Sequence, residues 1–321
     1  MNQELTDFFL SKNLVINSVI SHGSFGEVFQ VYSTQYKTIF ALKKIPLNKF
    51  NQDEVECLKA IDDSRIVSLY DYYIYEGNAY MLMEFCPNDL EKLVQNSCKF
   101  NEHELQKLTY DVVMAIKSCH DRNIAHCDIK PANFMFDIYG RLKIGDFGFS
   151  IFCDPSKTIK NYKGTKLFMS PEVINKQSHD PFKADIWSLG VTLYYIATSS
   201  LPFYSRDSVS LFDKICHGVF LDEVIENPNL RAIIKACLDI DPLKRPLTSD
   251  ILKMTFFRTM AYHSHANIRC KDGILTHDKI IARSKVTKSL VSQHNFKVKR
   301  RSLGNSERMS MFPNIIVPSF S

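Results

Sequence analysis

This sequence predicts an α+β fold of two lobes, a small β-rich lobe followed by a larger helical one. Three observations carry that reading. The first third of the chain holds short runs of β-branched and aromatic residues separated by turn-prone ones. After Pro87 the apolar residues switch to helical spacing. The switch occurs once, and no internal repeat accompanies it.

The elements follow in order. Residues 14–20, 27–33 and 38–44 read as strands. A short helix is predicted over 50–60, where Val55, Leu58 and Ile61 recur at helical spacing. Strands at 67–75 and 79–85 flank the turn Glu76-Gly77-Asn78. Leu105, Leu108, Val112, Ala115, Ile116 and Cys119 then form one stripe of a long amphipathic helix. Asn101, with Glu104 three residues on, gives that helix an N-cap and an approximate capping box. Further helices are predicted at 183–197, 208–216, 229–237 and 248–256. Asp241-Pro242 and Arg245-Pro246 break the last two, because proline lacks the N–H that helix continuation requires. The resulting division is an extension at 1–13, a domain at 14–258 and a tail at 259–321. Within the domain the small lobe spans 14–85, the hinge 84–88 and the helical lobe 89–258.

Composition bounds the function. With 45% hydrophobic and 23% charged residues in 321, most of the chain can bury a core. Nine cysteines, an odd number with no CxxC pair, argue against a disulfide framework or a zinc site and suit a reducing compartment. The first residues carry an early acid and no basic-then-apolar layout, and the longest apolar run, 190–198, is far short of the ~20 residues that span a bilayer. A soluble, cytoplasmic protein with no membrane partner is expected. The net charge of +5 is uneven: from 263 onward eleven basic residues face three acids, leaving 1–262 slightly acidic. The whole-chain charge is therefore no nucleic-acid signature, and the Ser-rich basic tail has the composition of a disordered segment. A nucleic-acid-binding or nuclear-import role for the tail, and a nuclear location with it, is the alternative.

Four constellations occur in one chain order. The first is Ile20-Ser21-His22-Gly23-Ser24-Phe25-Gly26-Glu27-Val28, between two predicted strands, where glycines let backbone N–H groups approach phosphate oxygens. Alone it is an ordinary hairpin turn more often than a phosphate cradle. The second is Phe40-Ala41-Leu42-Lys43, on the third strand; a lone lysine there is usually just solvated. The third is His126-Cys127-Asp128-Ile129-Lys130-Pro131-Ala132-Asn133, directly after the long helix. The fourth is Asp146-Phe147-Gly148, after a short strand at 142–144.

Taken together, this ordered set resembles the eukaryotic protein kinase family over residues 14–257. The resemblance implies a bilobal kinase fold and transfer of the γ-phosphate of ATP, with Mg²⁺, to protein hydroxyls. Such a transfer spreads negative charge over the γ-phosphate, so the site needs cations and fixed donors. By resemblance, Lys43 contacts the α- and β-phosphates and is held by Glu54, with Glu56 as the other choice. Asp146 and Asn133 hold the metal ions, through the hard oxygens that magnesium prefers. Asp128 accepts the proton of the attacking hydroxyl, and Lys130 neutralises the γ-phosphate. The glycine loop from Ile20 to Val28 covers the phosphates. Ile20, Val28, Ala41 and Met135 sandwich the base, with Met83 behind it and the backbone of Glu84 and Cys86 on its edge. Each of these apolar residues is almost as readily explained as lobe core. Lys130 and Thr165 resemble the serine/threonine form. The resemblance also pairs Glu172 with Arg245 and sets Asp185 under the catalytic loop, both as structural supports.

The sequence departs from the family pattern in three places. Ser21 stands for the first glycine of the loop. Cys127 stands for the arginine that usually meets a phosphorylated activation segment, so activity without phosphorylation of Ser150, Ser156, Thr158 or Tyr162 is expected. Only eleven positions separate Lys43 from Glu54, which predicts a helix lacking its first turns. The competing reading, a nucleotide-binding pseudokinase or scaffold, is opposed by the intact Lys43, Asp128, Asn133 and Asp146. Lys299-Arg300-Arg301-Ser302 in the tail forms a cis-substrate candidate for an acidic groove, with Asp89 and Asp213 as the acids.

Overall fold

The structure of the protein, a computed structural model, describes residues 3–23, 26–96, 99–154, 156–160 and 162–258. Ser24, Phe25 and the whole tail with Ser302 lie outside the described residues.

The small lobe opens with α1 (Gln3–Leu10), followed by β1 (Leu14–Gly23), β2 (Gly26–Ser33) and β3 (Thr38–Pro46). Then come α2 (Gln52–Ala60), β4 (Leu69–Tyr75) and β5 (Asn78–Glu84). The five strands form one antiparallel sheet in the order β1-β2-β3-β5-β4. Alternation along β5 shows how the sheet divides two cores. Tyr80 and Leu82 join Phe29, Val31, Phe40 and Leu42 on one face, whereas Met81 and Met83 face α2 and the helical lobe.

Helix α1 was not foreseen in the segment read as an extension. Leu5 and Phe9, four residues apart on one face, are buried in the outer core of the sheet, and Phe8 stacks on Tyr75 at 4.2 Å. The helix is too short to stand alone, so the apolar face of the sheet sustains it.

The helical lobe contains β6 (Asn88–Asp89), α3 (Leu90–Asn96), α4 (Glu102–His120), β7 (Ile124–Ala125), β8 (Phe134–Phe136), β9 (Leu142–Ile144) and β10 (Ile151–Phe152). After these come α5 (Pro171–Ile174), α6 (Pro181–Thr198), α7 (Ser208–His217), α8 (Pro228–Cys237), α9 (Thr248–Ile251) and α10 (Thr255–Arg258). The sequence therefore gives an α+β fold of two lobes, as expected. The capping box forms: the Asn101 side chain accepts from Glu104 N at 2.9 Å, and Glu104 accepts from Asn101 N at 3.1 Å. The single helix predicted over 248–256 is instead two short ones. Among the described residues no helix is long and apolar enough to cross a membrane.

Two small sheets position the site. β6, β8 and β9 form one, and β7 pairs with β10 in the other. The segment between β7 and β8 is thereby pinned at both ends, facing the edge of the small lobe.

Candidate active site

The β3 lysine is the hub of the cleft. Lys43 Nζ donates to Glu54 Oε1 at 2.8 Å and to Asp146 Oδ1 at 2.7 Å. Burial opposes the lysine charge, but the two carboxylates outweigh it and raise its pKa well above the usual range. Burial likewise disfavours the Asp146 carboxylate, yet Lys43 holds its pKa below the ordinary value. Glu54 reaches Lys43 from the first turn of α2, whose N-cap is Asn51, accepting from Asp53 N. Glu56, the other choice in the sequence, is exposed.

The segment between β7 and β8 gathers the second cluster around Asp128, itself buried. Oδ1 accepts from Thr165 N at 2.9 Å and from Thr165 Oγ1 at 2.8 Å. Oδ2 accepts from Lys130 Nζ at 2.7 Å and from Asn133 Nδ2 at 3.2 Å. Lys130 also donates to Thr165 Oγ1 at 2.8 Å, closing a ring of three side chains with Asn133 bonded to its carboxylate. With both carboxylate oxygens engaged, the group cannot rotate freely, which is the preorganisation that a general base needs.

His126 organises this loop, a role sequence reasoning missed although the residue stood in the motif. Its Nε2 lies 3.0 Å from Gly145 O, and its Nδ1 accepts from Asp128 N at 3.3 Å. That pairing assigns the neutral ring with its proton on Nε2. The ring also packs on the buried Phe147 at 5.0 Å. Beneath the loop, Asp185 accepts from His126 N at 2.7 Å and Cys127 N at 2.9 Å, so the expected support is present. It helps hold Cys127 at φ +61° and is joined by His120 Nε2 at 3.0 Å. Burial, followed by the nearby Asp185 carboxylate, pushes the Cys127 thiol well up. The activation segment packs on this turn through Gly164, at φ +112°, where an added Cβ would lie 2.6 Å from Cys127 O.

The segment is anchored at its far end by a buried fork. Arg245 Nη1 and Nη2 donate to the two Glu172 oxygens at 2.6 and 2.9 Å, and the guanidinium lies over Trp187.

The residues expected to sandwich the base differ in exposure. Ala41 and Met83 are register partners across β3 and β5, Val28 and Met135 are partly buried, and Ile20 is open to solvent. In the glycine loop, β1 and β2 stay paired through Ser21↔Val28, His22↔Glu27 and Gly23↔Gly26. Gly26 takes φ +141°, and a Cβ there would strike Lys44 O at 1.9 Å, so only glycine fits. The Glu27 side chain lies 3.1 Å from Lys44 on the neighbouring strand. Of the acids offered to the tail, Asp89 lies 2.8 Å from Lys92 and Asp213 lies 3.3 Å from His217.

Whether magnesium fits can be judged from the donor set. Asn133 Nδ2 is committed to Asp128 O at 2.7 Å as well as to the carboxylate, which leaves its amide oxygen for a cation. Among the described residues no cluster of three or more His, Cys, Asp or Glu could hold a metal. The hard oxygens of Asp146 and Asn133 fit an ion that takes one or two protein oxygens and completes its shell with phosphate and water, as Mg²⁺ does.

A family model of the protein kinase domain matches residues 14–257. The chain is 31% identical over 253 residues to the cell cycle serine/threonine-protein kinase CDC5/MSD2 of Saccharomyces cerevisiae, covering 74% of this chain and 36% of that one. It is 31% identical over 283 residues to calcium-dependent protein kinase 6 of Plasmodium berghei, covering 80% of this chain and 19% of that one. Against CBL-interacting protein kinase 10 of Oryza sativa the identity is 28% over 261 residues, with 78% and 58% covered. The chain thus spans less than two thirds of each of these relatives.

Proposed function

This chain belongs to the protein kinase family, and from that premise we propose that it is a serine/threonine protein kinase, moving the γ-phosphate of Mg-ATP to Ser or Thr hydroxyls of proteins. The observation that carries the reading is the fixed Asp128 carboxylate, ringed by Lys130, Asn133 and Thr165. In this reading Asp128 orients the acceptor hydroxyl and takes its proton, while the new O–P bond forms and the bond from the γ-phosphorus to the β–γ bridging oxygen breaks. Lys130, 2.7 Å from that carboxylate, stands ready to neutralise the phosphoryl oxygens. Lys43 supplies a positive charge to the remaining phosphates, and Glu54 keeps it in place. Bound Mg²⁺, held by Asp146 and Asn133, would supply further neutralisation of phosphate charge.

Protein substrates bearing Ser or Thr are the partners this reading implies. The cysteines of the described residues are all free, which supports a reducing, cytoplasmic setting. The test is incubation of the purified chain with labelled Mg-ATP and a degenerate peptide library. Label on Ser and Thr is expected. Label confined to Tyr overturns the acceptor assignment, and nucleotide binding with no label favours the scaffold reading.

A further inference from the structure

One strongly buried cation in the described residues has no part in the chemistry above. The Lys143 side chain, on β9, is 4% exposed, and its Nζ lies 2.9 Å from Glu84 Oε2. Glu84 ends β5, the last strand of the small lobe. The same carboxylate oxygen accepts from Ser68 N at 3.3 Å, and Glu84 N donates to Ser68 O at 2.9 Å. Lys143 belongs to the other lobe, three residues before Asp146.

Its surroundings narrow what it can do. Asp137, the other buried acid nearby, is already occupied. It accepts from Arg141 Nε at 2.7 Å and from the backbone N–H groups of Tyr139 and Arg141, both at 2.9 Å. Across the small sheet, Lys143 is the register partner of Met135, and Met135 that of Asp89 just past the hinge. Paired residues of neighbouring strands share a face, so Lys143 stands beside the residue read as the floor of the base site. Cys86 feels the same group of charges. Burial first, then Glu84 and Asp137, push its thiol up to about 12, with Lys143 opposing.

A buried ion pair contributes little net stability over an apolar pair of similar size, so stability alone does not account for it. Separating its charges is costly, however, because Lys143 would remain buried without a counter-charge and Glu84 would keep only the Ser68 N–H. The contact therefore resists movement of the strand before the hinge relative to the strand before Asp146.

We infer that Lys143 is a positioning residue for nucleotide binding: paired with Glu84 behind the hinge, it fixes the main chain of Glu84 and Cys86 toward the edge of the base. The inference rests on the phosphotransfer reading, in which that main chain meets adenine. The pair ties the two lobes across the back of the cleft, and its loss loosens the hinge without touching a phosphate ligand.

Calorimetric binding of Mg-ATP, steady-state kinetics and thermal unfolding of the full chain test it together. Lys143→Met should raise both Kd and KM for ATP about tenfold while kcat falls less than about threefold, since the lost contacts act on binding and not on the transition state. It should also lower Tm, because the partly buried Glu84 carboxylate loses its counter-charge and keeps only the Ser68 N–H. The double variant Lys143→Met/Glu84→Met leaves no orphan charge, so its Tm should recover while its weakened nucleotide affinity persists. A double variant that binds Mg-ATP as the wild type does would reduce the pair to a structural role and overturn the inference. Failure of the wild-type chain itself to bind Mg-ATP would overturn the phosphotransfer reading and this inference with it, an outcome distinct from the first.

Discussion

Lys43 Nζ lies 2.8 Å from Glu54 Oε1, although only eleven positions separate the two residues. A single 3₁₀ turn at Leu47–Lys49 carries the chain from β3 to Asn51, which caps α2 at once and puts Glu54 in its first turn. The missing helical turns thus cost nothing at the ion pair. Glu54→Gln should lower kcat/KM for ATP by about 10²-fold, the scale of one lost electrostatic contact in a preorganised site. Lys43→Met should abolish transfer. Steady-state rates on a peptide acceptor check both, and undiminished transfer in Lys43→Met would remove that residue from the mechanism.

Control by phosphorylation is the second test. Cys127 carries no charge, and burial keeps its thiol protonated, so it offers nothing for a phosphate to bind. Ser150, one of the four acceptors considered, is buried and donates to His126 O at 3.1 Å, so a kinase could not reach it in this fold. Ser156, Thr158 and Tyr162 are exposed. Phosphatase treatment should leave the initial rate within about threefold. A drop beyond about tenfold, some 1.4 kcal/mol in barrier, would show that another cation does the work of the absent arginine.

Acid should weaken the fold through Glu172 and Asp146. Their cationic partners, Arg245 and Lys43, hold both pKa values below ordinary despite burial. A group depressed in the folded state contributes stability above its unfolded pKa, about 4, and loses it as pH falls through the lower folded value. Tm should therefore be flat in this contribution above about pH 5 and decline below about 4. Glu172→Gln, which leaves the buried Arg245 guanidinium with neutral acceptors only, should destabilise by about 3–5 kcal/mol at neutral pH and flatten the acid limb. A variant with the wild-type Tm profile would contradict the assignment.

Gly164 links the activation segment to the base. A methyl group there would press on Cys127 O, and φ +112° disfavours any other residue. Gly164→Ala should displace Thr165 from Asp128 and lower kcat by about tenfold or more, since small displacements in a reacting geometry are costly. The ATP KM should stay within about threefold. A selective loss of ATP affinity instead would place the effect outside the Asp128 ring.

The fold was legible where one physical pattern dominated. The alternation in the small lobe and the stripe on α4 each have one period and one buried face, so strands and helix fell where expected. Helix α1 escaped because Leu5 and Phe9 make a face only when the sheet is there to cover it. The charged residues that touch phosphate in the proposed reading stood in motifs fixed by chemistry and could be named singly. His126 and Lys143 could not, since their roles depend on what stands across the loop or the hinge. The pairing of Glu27 with Lys44 could not be named either, because a motif position does not determine which neighbour a flexible side chain finds.

The central claim is that Asp128 acts on the acceptor hydroxyl while other residues hold the nucleotide. Label transfer from Mg-ATP to a Ser/Thr peptide, measured for wild type and Asp128→Asn beside calorimetric affinity for Mg-ATP, tests it most directly. Loss of about 10²–10⁴-fold in kcat, the range for a positioned general base, with Mg-ATP affinity within about threefold is the predicted result. Transfer by Asp128→Asn at a rate within about threefold of the wild type would contradict the account.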